Sequence, residues 1–195
     1  MQYKGVILFM CGLTSALAAG WFAFPSMLYE ESEQPLQFSH AVHTGQKVGL
    51  QCDECHAFRE DGTFTGIPPL EKCAMCHATQ VGDSPEEKLL VDEYVSKNKP
   101  IPWLVYAKQP QNAFFAHVQH VKLAALPCER CHGPHGTSDR LPPFEKNRIS
   151  GYSRAIWGPN ISGIKSHEWE GMKMDDCSHC HKAMGVDESC IDCHK

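Results

Sequence analysis

Ten of the chain's eleven cysteines belong to five copies of one motif: two cysteines separated by two residues, with a histidine directly after the second. The copies span Cys52–His56, Cys73–His77, Cys128–His132, Cys177–His181 and Cys190–His194. This spacing is that of c-type haem attachment, in which both thiols form thioethers to one porphyrin and the histidine ligates the iron. The predicted thioether residues are Cys52, Cys55, Cys73, Cys76, Cys128, Cys131, Cys177, Cys180, Cys190 and Cys193. The predicted proximal ligands are His56, His77, His132, His181 and His194.

Other interpretations of these cysteines do not account for the recurring histidine. A disulfide framework does not need it, and iron–sulfur motifs carry no such residue. Zinc knuckles act in pairs, so five would leave one unpaired, and a thioredoxin-like motif occurs once. The sequence therefore predicts five covalent haems c. Cys11 stands apart in an apolar stretch and is interpreted as a small apolar side chain.

Histidines outside the motifs supply the candidate distal ligands. These are His40, His43, His117, His120, His135 and His167. The first four form a repeat, because Phe-x-His-x-x-His precedes both Cys52 and Cys128. Histidines three residues apart on a helix emerge on one side and can reach two neighbouring irons. His179, at a variable motif position, is interpreted as a surface residue, and Met172 and Met174 as side chains that pack against a haem.

Six candidates for five distal positions favour ligation by two histidines at most irons. Such ligation closes an iron to substrate, so it favours electron transfer over a catalytic multihaem reductase, which needs an open position. The spare histidine leaves a sixth haem open, held noncovalently, through Cys11 or by a neighbouring chain.

The length of the chain limits its fold. About 165 residues remain outside the N-terminal segment, or about 33 per haem, which is too few for an ordinary apolar core. We expect mostly coil with short α-helices wrapped around the haems and almost no sheet, in keeping with 15 glycines and 13 prolines. The net charge of -5, without a dominant Lys/Arg cluster, argues against nucleic-acid binding.

The N-terminal segment 5–24 contains no charged residue. As a helix its twenty residues span about 30 Å, the thickness of a bilayer core. Lys4 precedes it and Glu30 follows, which indicates a single-pass anchor in the cytoplasmic membrane with a cytoplasmic N-terminus and a periplasmic haem domain. A cleaved signal peptide, with a small-residue site at Ala16–Ala18, is the alternative; both export the domain.

The motifs and repeats divide the chain into four parts. Residues 1–34 are the anchor and linker, 35–83 a two-haem module, 84–112 a connector, and 113–195 a three-haem module with a long loop at 136–166. In the connector, Ser84 as N-cap, Pro85 at N1 and Glu87 at N3 predict a helix that stops before Pro100. An extended segment is expected at 101–106.

The long loop combines basic and aromatic residues without a cysteine. Loops of this length in compact domains are commonly functional. We expect it to dock a partner subunit through Phe144, Tyr152 and Trp157.

The combination of Phe-x-His-x-x-His with the haem motif resembles class III multihaem cytochromes c, the c3/c7 group. Three further stretches, 100–103, 114–121 and 128–133, are similar to the membrane-anchored multihaem subunit of alternative complex III and of the related Qrc menaquinone reductase. The compact length favours the menaquinone reductase branch.

This resemblance implies a subunit of a membrane complex. The implied partners are a molybdopterin-type large subunit, an iron–sulfur subunit and a polytopic quinone-binding subunit. It implies electrons passing from a periplasmic cytochrome c3 to menaquinone, or, in alternative complex III, from quinol to a soluble cytochrome or oxidase. A quinol dehydrogenase with its own quinone pocket stays open as an alternative, whereas the anchor disfavours a free soluble carrier.

Overall fold

The computed structural model describes residues 2–157 and 165–194, and its regular elements are short. The helices are α1 (Gln2–Ala18), α2 (Phe24–Met27), α3 (His40–Thr44), α4 (Cys52–Cys55), α5 (Leu70–Ala74), α6 (Pro85–Leu89), α7 (Glu129–His132), α8 (Arg154–Trp157), α9 (Met174–Ala183) and α10 (Cys190–Cys193). The π-helical turns are Ala19–Ala23, Leu90–Val95 and Val118–Leu123, and a 3₁₀ turn covers His135–Thr137. The strands β1 (Tyr29–Ser32) and β2 (Phe144–Asn147) form a two-stranded sheet. The expected fold class, mostly coil with short helices, is confirmed.

The first helical elements join into one apolar helix at the N-terminus. Its stretch Tyr3–Ala23 has 21 residues, is apolar enough to cross a membrane, and has no buried part. The π-helical turn precedes Pro25, which has no N–H to donate within a helix. An anchor and a signal sequence share these properties of length and composition.

The apolar core of the remaining chain is very small. Within residues 2–157 and 165–194, the buried apolar side chains are Leu36, Leu90, Tyr94 and Ile156. The first three pack together, and Cys73 of the second motif is one of the partly buried residues around them. So little burial cannot offset the conformational entropy of a chain this long. The fold therefore depends on the groups that the cysteine motifs bind.

The connector helix begins as the sequence predicts. The Ser84 hydroxyl accepts a hydrogen bond from Glu86 N at 3.3 Å, and Pro85 opens α6. The helix continues through the π-helical turn and ends before Pro100. The side chain of Glu87 does not close a capping box with Ser84, because its carboxylate accepts hydrogen bonds from the backbone N–H groups of Val81 and Gly82, both at 2.7 Å.

The segment predicted to be extended, 101–106, does not pair with a strand of the described chain; a glutamine side chain forms hydrogen bonds to its backbone instead. Gln34, 7% exposed, donates to Leu104 O at 2.9 Å and accepts from Leu104 N at 3.1 Å. This amide replaces a strand partner for both backbone groups of Leu104 and ties the connector to the linker after the N-terminal helix.

The segment predicted as a long loop, 136–166, contains regular structure where it is described. β2 pairs antiparallel with β1, so that Tyr29 lies opposite Asn147 and Ser32 opposite Phe144. Asn147, Ser153 and Ile156 are buried behind this pairing. Much of the segment is therefore held against the linker that follows the N-terminal helix.

The three aromatic residues expected to dock a partner have different surroundings. The Phe144 ring packs against Tyr106, with ring centres 6.0 Å apart, and Tyr152 is 37% exposed. Trp157 is the last residue of α8, and its side chain lies outside the described part, as do residues 158–164. Of the three, Tyr152 is the one whose described side chain is on the surface.

Replacing Gln34 by alanine is expected to lower the free energy of unfolding by about 1–3 kcal/mol, because both backbone groups of Leu104 lose their partner in a half-buried position. Guanidinium unfolding of the detergent-solubilised haem-loaded protein measures this change. Gln111→Ala, at an exposed position, is the matched control and is expected to leave the midpoint unchanged. Equal midpoints for the two variants would contradict this role of Gln34.

Candidate haem sites

Each cysteine motif folds into a helical turn that brings its three functional side chains to one side. The histidine N–H donates to the first cysteine's carbonyl in four motifs, from His56 at 2.8 Å, His77 at 2.9 Å, His132 at 3.0 Å and His194 at 2.9 Å. The remaining motif lies within α9. Residues i, i+3 and i+4 share one face of such a turn. Both thiols and the imidazole can therefore address a single porphyrin.

Hydrogen bonds at Nδ1 fix the tautomer of most of the candidate ligands. Among motif histidines, Nδ1 contacts Gly66 O from His56 (2.7 Å), Glu87 Oε1 from His77 (2.7 Å), Glu188 Oε2 from His181 (2.5 Å) and Asn112 O from His194 (3.3 Å). Among distal candidates, His43 contacts Ser39 O (2.8 Å) and His120 contacts Ala116 O (3.0 Å). A carbonyl or carboxylate can only accept, so Nδ1 carries the proton and Nε2 is free to bind a metal.

Three pairs of imidazoles are spaced for one iron between them. The ring centres are 6.1 Å apart for His43 and His77, 6.3 Å for His117 and His132, and 6.0 Å for His120 and His181. Two metal–nitrogen bonds of about 2.0 Å, with each ring centre about 1.1 Å beyond its nitrogen, predict a separation of about 6.2 Å. The residues present therefore fit c-type haem, and they provide two imidazoles for the second, third and fourth motifs.

The phenylalanine of the repeat holds both of its histidines. Phe38 stacks on His43 at 4.3 Å and meets His40 edge-on at 4.9 Å. Phe115 repeats this arrangement, stacked on His120 at 4.5 Å and edge-on to His117 at 4.9 Å. Such aromatic contacts stabilise a defined ring orientation. The sequence showed that the phenylalanine recurs, but only the structure shows that each phenylalanine ring contacts both histidines of its segment.

His40 and His135, which both lie outside the cysteine motifs, are close together. Their ring centres are 6.4 Å apart. His40 Nδ1 lies 3.2 Å from Ser138 Oγ, and that hydroxyl donates to His135 O at 2.8 Å. Ala41 N also donates to Ser138 O at 3.0 Å. These hydrogen bonds occupy Nδ1 of His40 and the backbone carbonyl of His135, so they leave Nε2 of His40 free to bind a metal.

The surroundings of His40 keep it neutral. Burial, together with the neighbouring His135, His56 and His43, lowers the pKa of His40 to about 4. A neutral imidazole is the form that binds iron. The proximity of His56, the histidine of the first motif, follows the repeat logic in which the first histidine serves the next motif.

The first and fifth motifs are not paired by the described ring contacts. The ring contact of His56 is with Phe64 at 6.4 Å, and Phe64 in turn stacks on His117 at 4.1 Å. The ring of His167 stacks on Trp169, with ring centres 4.4 Å apart. The indole of Trp169 also covers Gly133, so closely that a Cβ at position 133 would lie 2.8 Å from it. His179 and Met174 are exposed.

Thiols of different motifs lie close enough to raise one another's pKa, which indicates which motifs are neighbours. Burial raises the pKa of Cys55, Cys73, Cys128, Cys131 and Cys177, and a thiol of another motif raises each further. Cys55 is paired in this way with Cys73 and Cys76 of the second motif, and Cys128 with Cys52 of the first. Cys131 is paired with Cys180, and Cys177 with both Cys193 and Cys131. The motifs therefore follow one another in space in the order second, first, third, fourth, fifth.

Two carboxylates beside the motifs are functional residues that the sequence did not identify. Glu87 accepts from His77 and Glu188 from His181. Each lies seven to ten residues after its motif histidine, with no spacing rule to single it out. A carboxylate partner makes an imidazole a stronger donor to a bound metal.

Comparison with known proteins gives two matches. Residues 23–101 match the model of the class III cytochrome c family. The chain is also similar to the multihaem cytochrome c subunit of menaquinone reductase from Nitratidesulfovibrio vulgaris, with 39% identity over 206 residues, covering 98% of this chain and 90% of that protein. The likeness extends well beyond the motifs, since it includes the N-terminal helix, the connector and the segment between the third and fourth motifs.

Glu87→Gln is expected to raise the midpoint potential of the second-motif haem by on the order of tens of millivolts, because a neutral amide makes His77 a weaker donor to ferric iron. Spectropotentiometry of the purified haem-loaded protein measures this shift. Glu188→Gln is expected to act likewise at the fourth motif. Glu86→Gln is the control, because its carboxylate accepts from Gln37 N at 2.9 Å and touches no ligand. Superimposable titrations of the parent and Glu87→Gln would contradict the effect.

Proposed function

The chain belongs to the family of multihaem cytochrome c subunits of menaquinone reductase, and on that premise we propose that it relays electrons between a periplasmic c3-like cytochrome and the menaquinone site of its complex. The observation that carries this proposal is the spacing of the three imidazole pairs. An iron held between two imidazoles has no position for substrate, so these sites favour passing electrons over catalysis. The continuous spatial order of the five motifs supports a relay.

The proposed cofactors are five covalent haems c, bound by the ten motif cysteines and the five motif histidines. The distal ligands are His43 for the second motif, His117 for the third and His120 for the fourth, on the ring separations given above. We assign His40 to the first motif, because His56 is among its electrostatic neighbours. His135 and His167 are the remaining candidates for the fifth iron.

The N-terminal helix is proposed to be a retained single-pass anchor, with the haem domain on the periplasmic side of the cytoplasmic membrane. Its exposed apolar side chains continue to Met27, which is 73% exposed. The partners proposed for this chain are the subunits of the menaquinone reductase complex: a molybdopterin-type subunit, an iron–sulfur subunit and a polytopic quinone-binding subunit. A quinol-oxidising relay with electrons flowing the other way uses the same sites.

One alternative is a quinone pocket within this chain, and an apolar groove is the place where a quinone could bind. The groove has a volume of about 360 Å³ and is lined by residues of 67–70 and 100–105, including Trp103. Leu70, Ile101 and Trp103 of its lining also surround the small core that contacts Cys73, so a quinone there would lie beside the second motif. We expect the quinone to bind elsewhere in the complex, because the lining offers few polar groups to hold a quinone carbonyl.

The haem content is testable directly. The pyridine haemochrome of the purified chain is expected to give five haems c, all retained after acidic acetone extraction, because two thioethers hold each one. Cys11→Ala is the control and is expected to leave the count unchanged. A sixth haem that is extracted by acetone would contradict the proposed ligand assignment.

The relay is tested by interrupting its middle. In the purified complex, Cys128→Ala combined with Cys131→Ala removes the third haem, which separates the second and first motifs from the fourth and fifth. Reduction of a menaquinone analogue by a reduced c3-like cytochrome is expected to fall to the background rate, measured by stopped-flow absorbance, in samples that retain four haems per chain. The Cys11→Ala complex is expected to keep the parent rate, and a parent-like rate in the four-haem complex would overturn the relay.

The isolated chain separates the relay from a quinone pocket of its own. A quinone analogue is expected to leave its reduced-minus-oxidised haem spectrum unchanged. A spectral shift that is lost in Trp103→Ala would instead support the pocket.

A further inference from the structure

We propose that the turn formed by residues 148–151 is a membrane contact, which inserts Ile149 into the headgroup layer of the outer leaflet beside the end of the N-terminal helix. The proposal rests on the retained anchor proposed above and adds a second point of attachment to the lipid. The occupant of this surface is the bilayer itself.

The direction of the sheet places this turn at the membrane. β1 leads away from the N-terminal helix, and β2 pairs with it antiparallel, so β2 runs back toward the helix. β2 ends at Asn147, opposite Tyr29, and the next residue, Arg148, donates its N–H to Leu28 O at 2.8 Å. Ile149 is the next residue of the turn. The turn is therefore level with the last residues of the helix.

The helix end crosses the headgroup layer. Leu28 comes five residues after Ala23, the end of the apolar span, which is about 7.5 Å along a helix. The headgroup region is roughly 5–7.5 Å thick on each side of a bilayer, so Leu28 lies at its outer edge. Phe24 and Met27, 51% and 73% exposed, are apolar side chains suited to lipid contact at this level. A turn hydrogen-bonded to Leu28 therefore reaches the same layer.

The turn has the composition of an interfacial contact. Ile149 is 79% exposed at its tip, and Tyr152 at its end is 37% exposed. Arg148 is exposed as well, and residues 148–152 contain no acidic side chain. An aliphatic tip flanked by a tyrosine and an arginine matches the side chains that proteins place at headgroup level, where the ring and the guanidinium reach polar groups.

The turn is rigid enough to hold its tip in place. The buried Asn147 side chain accepts from the N–H groups of Ile149 and Ser150, both at 2.9 Å. The backbone closes the turn with Gly151 N donating to Asn147 O and Asn147 N donating to Tyr152 O, both at 2.8 Å. Gly151 has φ +75°, which suits glycine and completes the reversal. Ile149 is therefore presented by a fixed scaffold.

The consequence is a fixed orientation of the haem domain. A single helix lets a domain rotate and tilt above the membrane, whereas a second contact restricts the tilt. Because β2, α8 and the linker are packed together, restricting the turn also restricts the segment that leads to the haem modules.

Thiol accessibility in nanodiscs tests the contact. Ile149→Cys is made in a Cys11→Ala background, and the full haem-loaded chain is placed in phosphatidylethanolamine/phosphatidylglycerol nanodiscs. The reaction rates of the thiol with a charged, membrane-impermeant maleimide and with neutral N-ethylmaleimide are compared. Leu123→Cys is the matched control, because Leu123 is also 79% exposed but lies elsewhere in the chain, in the π-helical turn Val118–Leu123.

The charged reagent is expected to be disfavoured at position 149 by about tenfold or more relative to position 123, the factor that about 1.4 kcal/mol of exclusion produces. Ser150→Cys, the next residue of the turn, is a second reporter with the same expectation. Equal preference at 149 and 123 overturns the proposal. Protection at 149 that appears only in the complete complex also overturns it, because a partner subunit would then be the occupant.

The same sample separates this proposal from the anchor on which it depends. A chain recovered without its N-terminal residues, or not retained by nanodiscs, disproves the anchor. A chain retained in nanodiscs at its full mass, with a freely reactive position 149, disproves the contact alone.

Discussion

The whole structure depends on covalently bound haem c taking the place of an apolar core. The described chain buries four apolar side chains, three of them in one cluster around the second motif. That burial cannot balance the entropy of ordering this many residues. In the proposed assignment each of the five helical turns that carry the motifs is fixed at two thiols and one imidazole, and the segments between them need no regular structure.

The proposed ligation adds a second requirement, namely that each imidazole meets its iron in a fixed orientation. Backbone carbonyls that accept from Nδ1 of His43 and His120, and the rings of Phe38 and Phe115 that stack on these histidines, fix that orientation. In the proposed assignment a single Phe-x-His-x-x-His segment orients ligands for two irons at once. Because one helical segment bridges two haem sites, the spacing between neighbouring sites is set locally, and a relay is built by repeating the segment.

The sequence was sufficient for features that depend on local spacing. The five motifs, the paired histidines and the helix that starts at Ser84 all follow from residues within a few positions of one another. The pairing of β1 with β2 could not be predicted, because it joins residues more than a hundred positions apart and neither strand has a strong alternating pattern. Glu87 and Glu188 were missed for a related reason. Their distance from the motif histidines follows from how the chain folds back, and carboxylates at such positions are common on any surface.

The spatial order of the motifs differs from their order in the chain, and this order keeps the second motif beside the linker that follows the N-terminal helix. The second motif is at one end of the series, and Cys73 packs near Leu36, nine residues after the N-terminal helix ends at Met27. The fifth motif is at the other end, where His194 contacts Asn112. If the motifs followed chain order, the first motif, and not the second, would lie at the end of the series beside the linker. Exchanging the first two allows the first motif to adjoin the third through Cys52 and Cys128, so that the two modules form one continuous series while the second motif remains beside the linker.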